Sequence, residues 1–189
     1  VESLGGTTLS VHEDGTAPLV IGGPIDGGTV TLPGDVSSQF ISALLMAGAV
    51  TDAGITVDLE TPVKSAPYIQ ITIEVLSAFG VTAEATTRGY RVTGGQRYHP
   101  ETSYEVPGDF SSISYLVALG ALCATDPVVI EGATPSAQGD AAIIAILEEM
   151  GAPISWDHEA ATVTVSAAPL SAVTVDVGDT PDLLPTLAV

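Results

Sequence analysis

Basic residues are almost absent from this chain. Lys64, Arg88, Arg91 and Arg97 stand against 23 acidic residues in 189, a formal net charge of −19. A surface this negative repels phosphate backbones and anionic headgroups, which argues against nucleic-acid and membrane-surface partners. Cysteine is nearly absent too. A lone Cys123 rules out an internal disulfide, and its place in an apolar helical run reads as a core position rather than a reactive thiol. No apolar run is long enough to cross a bilayer, and no basic segment with a cleavage site opens the chain. A cytoplasmic location is expected. Histidine is scarce. His12 and His158 sit beside acidic turn residues and His99 beside Pro100; no spacing of His, Cys or carboxylates suggests a metal site.

What is present is apolar, small and acidic. Hydrophobic residues make up 46% of the chain, enough for a real core, and 189 residues can hold one large domain or two small ones. So many acids among Ala, Val, Gly and Thr resemble the composition of proteins adapted to a high-salt cytoplasm, where counterions screen self-repulsion. The chain begins at Val1 and stops at Val189 just after an apolar helical start. Both ends read as cut, so a piece of a longer protein is expected.

One stretch recurs. Gly34-Asp35-Val36-Ser37-Ser38-Gln39-Phe40 returns as Gly108-Asp109-Phe110-Ser111-Ser112-Ile113-Ser114, 74 residues on, and begins again at Gly178-Asp179-Thr180-Pro181-Asp182, 70 further. A fixed period marks a supersecondary unit used repeatedly. In each copy Gly-Asp closes an extended segment, small polar or acidic residues follow, and an almost wholly apolar run comes next. Asp and Ser at that point favour a helix N-terminus. Asp35 and Asp109 are expected caps, and Ser111 and Ser112, copying Ser37 and Ser38, are expected to cap as well. A helix apolar on all faces is expected to be buried on all faces. Its polar N-terminus is a ready anion site, through free N–H groups and the positive end of the dipole.

The pattern between the copies defines the unit. Thr7–His12, Pro18–Gly22 and Gly28–Leu32 read as strands, Val36–Val50 as the first helix, Ile55–Glu60 as a strand. Pro67–Phe79 reads as an amphipathic helix stopped at Gly80, and Val81–Thr86 with Tyr90–Gly94 as a hairpin. The second round gives strand Tyr104–Val106, helix Phe110–Ala124, strand Val128–Glu131, helix Ala137–Met150 stopped at Gly151, and paired strands Ala152–Asp157 and Ala161–Ser166. Val173–Val177 and a final helix open another round. The unit is β-α-β-α-β-β. The Gly-rich, polar stretch Gly94–Pro100 is the expected domain boundary.

These residues resemble the 5-enolpyruvylshikimate-3-phosphate (EPSP) synthase family. The likeness rests on Gly34-Asp35-Val36-Ser37-Ser38-Gln39-Phe40 with Ala43-Leu44-Leu45-Met46, on Lys64-Ser65-Ala66-Pro67-Tyr68-Ile69, on Gly94-Gly95-Gln96 with Gly108–Ser112, and on Pro181-Asp182. Four motifs in order, spanning essentially the whole chain, are specific where Ser-Ser-Gln alone is weak. The resemblance implies a mixed α/β (α+β) fold, the enolpyruvyl transferase inside-out barrel, with two lobes of three β-α-β-α-β-β units each. On that pattern residues 1–97 are part of a first lobe, 98–104 the linker and 105–189 part of a second.

The same resemblance implies an activity: transfer of the enolpyruvyl group of phosphoenolpyruvate to the 5-hydroxyl of shikimate 3-phosphate, with release of phosphate and no metal or organic cofactor. It implies that Ser37 and Ser38 bind shikimate 3-phosphate through its phosphate. Gln39 would contact both substrates and reach the phosphoenolpyruvate side. Ser65 and Tyr68 would complete the phosphate and ring contacts, and Asp182 would bind the shikimate hydroxyls and shuttle a proton. A monomeric parent is expected. Lys64 is the only lysine, beside the Ser65 motif; a solvated loop residue reads equally well there. Two alternatives remain. One is the sister enzyme that transfers enolpyruvate to UDP-N-acetylglucosamine, whose cysteine loop is not visible here. The other is a non-catalytic acidic repeat protein in which the serines only cap helices.

Overall fold

The computed structural model of the chain describes residues 1–99 and 103–189. The expected linker 98–104 therefore lies partly outside the described residues. The chain divides into two compact units, Val1–Lys64 with Thr72–Thr102, and Ser65–Ile71 with Ser103–Val189.

In the first unit β1 (Thr7–Ser10) and β2 (Leu19–Gly22) form an antiparallel hairpin. A four-stranded sheet follows, from β3 (Gly28–Leu32), β4 (Ile55–Leu59), β5 (Ala83–Thr86) and β6 (Gly89–Val92), in the order β3-β4-β6-β5. The β3–β4 pair is parallel, with Gly28 opposite Ile55 and Leu32 opposite Leu59. A parallel pair needs a crossover, and α1 (Ser38–Gly48) supplies it. β5 and β6 close as the expected hairpin. α1 buries Ser38, Ile41, Leu45 and Gly48, the three- and four-residue spacing of one helical face. The polar stretch after β6 is fastened: Gly95 N–H donates to Thr51 O, and the Gln96 side chain exchanges hydrogen bonds with Thr82.

The second unit holds α3 (Phe110–Cys123), β7 (Val128–Glu131), α4 (Ala142–Glu149), β8 (Ile154–Asp157), β9 (Thr162–Val165) and the short α5 (Leu184–Leu187). Its strands run in the order β7-β9-β8, all antiparallel. This is the β4-β6-β5 arrangement of the first unit. Its core gathers Phe110, Ile113, Val117, Ile143, Leu147, Val163 and Leu183. The remaining helix, α2 (Ala66–Ala78), begins among residues of the second unit and ends among those of the first.

Five expectations need correction. Tyr104–Val106 is not a strand: Pro107 has no N–H to offer a ladder, and the backbone bond beside it runs from Gly108 N–H to Gly132 O. Val173–Val177 alternates in burial as a strand does, but no described strand pairs with it. The helix expected over Ala137–Met150 opens as a 3-10 turn at Gly139–Ala141 before α4. Finally, α1 and α3 are not buried on all faces. Phe40 and Met46 on α1, and Tyr115, Leu116, Leu119 and Leu122 on α3, are about half exposed. An apolar composition permits burial on every face; it does not supply a layer to cover the second one. Cys123, read as core, is exposed at the end of α3.

Candidate functional site

The start of α1 is built by a hydroxyl network in the first unit. Ser37 is the N-cap, its Oγ accepting from Gln39 N–H at 3.2 Å. Ser38 is buried and Gln39 exposed. Asp35, the expected cap, lies outside the helix. Thr61 Oγ1 donates to Asp35 Oδ1 at 2.7 Å and accepts from the N–H groups of Gly34 and Asp35. The Thr61 hydroxyl holds the Asp35 carboxyl below the usual carboxylate range, helped by its own backbone N–H and, more weakly, by the Lys64 charge. Lys64 N–H donates to Gly34 O at 3.0 Å, which ties the lysine loop to this helix start. A capped α-helix N-terminus with two hydroxyls and a nearby cation suits a phosphate.

In the second unit Ser65 adopts φ 58°, a left-handed backbone that residues other than glycine rarely take. Its carbonyl accepts from Tyr68 N–H at 3.2 Å, and Pro67 sits in the first turn of α2, where a missing N–H costs nothing. This turn presents Tyr68, whose phenol oxygen lies 3.1 Å from Asp182 Oδ2 and 3.1 Å from Asp140 Oδ2. Asp182 rides an exposed 3-10 turn, Pro181–Leu183, anchored by fully buried Leu183. Burial, followed by the two carboxylates, pushes the Tyr68 phenol above its ordinary range, so it stays a proton donor. Two of the six expected site residues, Tyr68 and Asp182, are thus in hydrogen-bond contact, and Ser65 opens the turn that carries one of them. Ser37, Ser38 and Gln39 belong to the first unit's helix start.

The sequence reading missed Asp140, which is 3% exposed. Its Oδ2 also accepts from Ser111 Oγ at 2.6 Å, and its Oδ1 is buried with no hydrogen bond. The available signal was an acidic residue after Gln138-Gly139, in a stretch read only as helix. Ser111 and Ser112 also change role. The cap of α3 is Asp109, as expected, its carboxylate accepting from the N–H groups of both serines. The two hydroxyls do not cap. Ser112 Oγ donates to Asp109 Oδ2 at 2.5 Å, and Ser111 Oγ serves Asp140.

The chain is similar to known proteins along its whole length. The family model described as EPSP synthase (3-phosphoshikimate 1-carboxyvinyltransferase) matches residues 2–189. A 3-phosphoshikimate 1-carboxyvinyltransferase of Halobacterium salinarum is 62% identical over 100% of this chain and 45% of its own length. One from Natronomonas pharaonis is 56% identical, over 100% of this chain and 46% of its own. Both come from halophilic archaea, in keeping with the acidic composition. The chain thus spans about 45% of the length of such relatives. The fold is similar to that of EPSP synthase from Acinetobacter baumannii, with TM-score 0.75 and 22% identity over 98% of this chain and 42% of that one. It is also similar to the enolpyruvyl transferase NikO from Streptomyces tendae, with TM-score 0.63 and 20% identity over 87% and 40%. With a family match running from Glu2 to Val189, the chain belongs to the EPSP synthase family.

Proposed function

We propose that the parent of this chain transfers the enolpyruvyl group of phosphoenolpyruvate to the 5-hydroxyl of shikimate 3-phosphate. The observation that carries this is the family match across residues 2–189, supported by the Tyr68–Asp182 contact in the second unit. In the reaction the 5-hydroxyl oxygen bonds to C2 of phosphoenolpyruvate while C3 gains a proton. The tetrahedral adduct then loses a C3 proton and phosphate, restoring the double bond. Asp182 takes the hydroxyl proton on addition. Ser37 and Ser38 hold the shikimate phosphate at the start of α1, with Ser65 from the turn before α2. Tyr68 borders the ring. Gln39 contacts shikimate 3-phosphate and donates its amide toward phosphoenolpyruvate.

Residues 1–97 supply part of one lobe, 98–104 the linker and 105–189 part of the other. The parent is a cytoplasmic monomer without nucleic-acid or membrane partners. Among the described residues no helix is long and apolar enough to cross a membrane. The 189-residue chain by itself is inactive, since Lys64 is its only lysine and two anionic substrates need more cations than it carries.

Phosphate release from shikimate 3-phosphate and phosphoenolpyruvate tests the reading, on the parent and on the 189-residue chain. Turnover by the parent only with UDP-N-acetylglucosamine moves it to the sister reaction, and no turnover with either acceptor leaves a repeat protein. Asp182→Asn in the parent lowers turnover by about 10²–10⁴, the usual contribution of a positioned acid–base group, with the melting temperature unchanged. Wild-type turnover in that variant returns Asp182 to a helix-start acid.

A further inference from the structure

Asp140 is the one buried carboxylate among the described residues. It is held from one side only: Ser111 Oγ and the Tyr68 phenol both reach Oδ2, while Oδ1 is enclosed without a hydrogen bond. A buried carboxylate oxygen left unpaired destabilises a fold, and such a group calls for an explanation other than stability. The geometry around Tyr68 offers one. A phenol carries a single proton, and two carboxylate oxygens stand 3.1 Å from it. It can satisfy one of them fully, or both weakly. The two are not equivalent. Asp140 is fixed by burial and by Ser111, whereas Asp182 is exposed on a three-residue turn.

We propose that Asp140 is a positioning residue that holds the Tyr68 phenol, so that Asp182 is released to take a substrate hydroxyl. This rests on the reading of Tyr68 and Asp182 as residues of the shikimate 3-phosphate site. Without Asp140 the phenol donates wholly to Asp182. An incoming sugar-like hydroxyl must then displace that bond before Asp182 accepts its proton. Asp140 touches no substrate in this scheme; it acts through Tyr68 alone.

The test is a double-mutant cycle in the full-length parent, with KM for shikimate 3-phosphate and kcat read separately. Asp140→Asn removes the charge and leaves a single acceptor oxygen for two donors. It is expected to raise KM about tenfold, the scale of one charge-assisted hydrogen bond, with kcat within about twofold. In a Tyr68→Phe background, which lacks the phenol, the same substitution changes KM by less than about twofold. An unchanged KM in Asp140→Asn overturns the proposal. So does an equal rise in both backgrounds, since Asp140 then does not act through Tyr68. Should Asp140→Asn fail to fold, Ser111→Ala weakens the same anchor. It is expected to raise KM about two- to threefold with Tyr68 present and to leave it unchanged in the Tyr68→Phe background, on the same charge-assisted scale for a weakened rather than a lost bond; no rise with Tyr68 present overturns the proposal. A wild-type parent that releases no phosphate from the two substrates overturns the functional reading and this proposal with it. An active parent with the wrong cycle overturns the proposal alone.

Discussion

Helix α1 opens on a hydroxyl and α3 on a carboxylate. Ser37 caps the first, Asp109 the second, and the two are 72 residues apart. The buried faces keep that spacing: Ser38 matches Phe110, Ile41 matches Ile113, Leu45 matches Val117 and Gly48 matches Gly120. The repeated letters Gly-Asp-x-Ser-Ser align 74 apart. Ser111 and Ser112 therefore sit two residues inside α3, where α1 has Gln39 and Phe40. The difference teaches what the repeat is for. Either residue satisfies the amides of a first turn, but a carboxylate there occupies the positive end of the dipole with its own charge. Only the hydroxyl cap leaves that end open to a ligand anion. On the proposed reading the first helix start takes the substrate phosphate, while its copy is occupied by Asp109, with Asp140 hydrogen-bonded to Ser111 close by.

Moving the carboxylate is the strongest way to break the comparison. Ser37→Asp in the parent keeps a good cap, so the melting temperature should hold. Shikimate 3-phosphate would then meet a fixed negative charge at roughly 4 Å. Two unit charges at that distance repel by about 4 kcal/mol at an effective dielectric of 20, so affinity should fall about a thousandfold in calorimetric titration. An affinity within tenfold of wild type would mean that the phosphate sits elsewhere.

Deleting hydroxyls is milder. Ser37→Ala with Ser38→Ala should weaken shikimate 3-phosphate binding by about 1–3 kcal/mol, the worth of hydrogen bonds to a charged group. Ser112→Ala, in the other copy, should leave affinity unchanged because its hydroxyl serves only Asp109. Equal losses in the two copies would erase the distinction between an open and a sealed helix start.

The 72-residue register can be sharpened by packing. A Cβ on Gly48 would collide with Val92 and Ile55, and one on Gly120 with Val165. In the sheets below, Ile55 pairs with Val92 and Val128 with Val165, so each helix crosses an equivalent strand pair on a glycine. Gly48→Ala and Gly120→Ala should each destabilise by about 1–2 kcal/mol, overpacking outweighing the gain in helix propensity. A stabilising effect at either position, read from chemical unfolding, would show that the two helices do not pack alike.

These glycines mark how far the sequence was legible. β-branched runs bounded by turn residues gave β3 and β7 to the residue, and the Gly80 and Gly151 stops placed the helix ends one residue late, at Phe79 for Ala78 and at Met150 for Glu149. The Pro-led first turn of α2 was legible at Pro67, whereas the α1 cap was expected at Asp35 and falls at Ser37. The register was not legible, because matching Ser-Ser pairs outweighed the spaced glycines when letters were aligned without a packing partner. Tyr104–Val106 and Val173–Val177 look like strands by composition, but a strand also needs a neighbour to bond, which lies outside any local pattern. Asp140 was illegible for the same reason. Its partners Tyr68 and Ser111 are 72 and 29 residues away, and nothing around it in the chain announces a buried acid.

The smallest expected effect separates the two caps by titration. The Ser112 hydroxyl, and then the amides of Ser111 and Ser112, hold the Asp109 carboxyl below its ordinary range, whereas the Ser37 cap of α1 does not titrate. A carboxyl whose folded pKa is depressed contributes stability above its unfolded value, about 3.9 for Asp. That contribution is lost as pH falls through the folded value. α3 should therefore loosen in acid through its cap, a route that the Ser37 cap of α1 lacks. Asp109→Asn supplies an equally good cap without a charge, so it removes the acid-sensitive part and keeps the helix. The unfolding midpoint of the 189-residue chain, followed from about pH 5 to about pH 2.5 across the Asp range, should drop less in Asp109→Asn than in the wild type. It should still drop, because Asp35 and Asp14 are held below their ordinary range as well. Ser37→Ala, by contrast, should lower the midpoint by about the same amount at every pH, about 1 kcal/mol for a lost cap. Parallel curves for wild type and Asp109→Asn would mean that the α3 carboxylate gives no charge-dependent support, and the contrast between the two helix starts would then be one of shape alone.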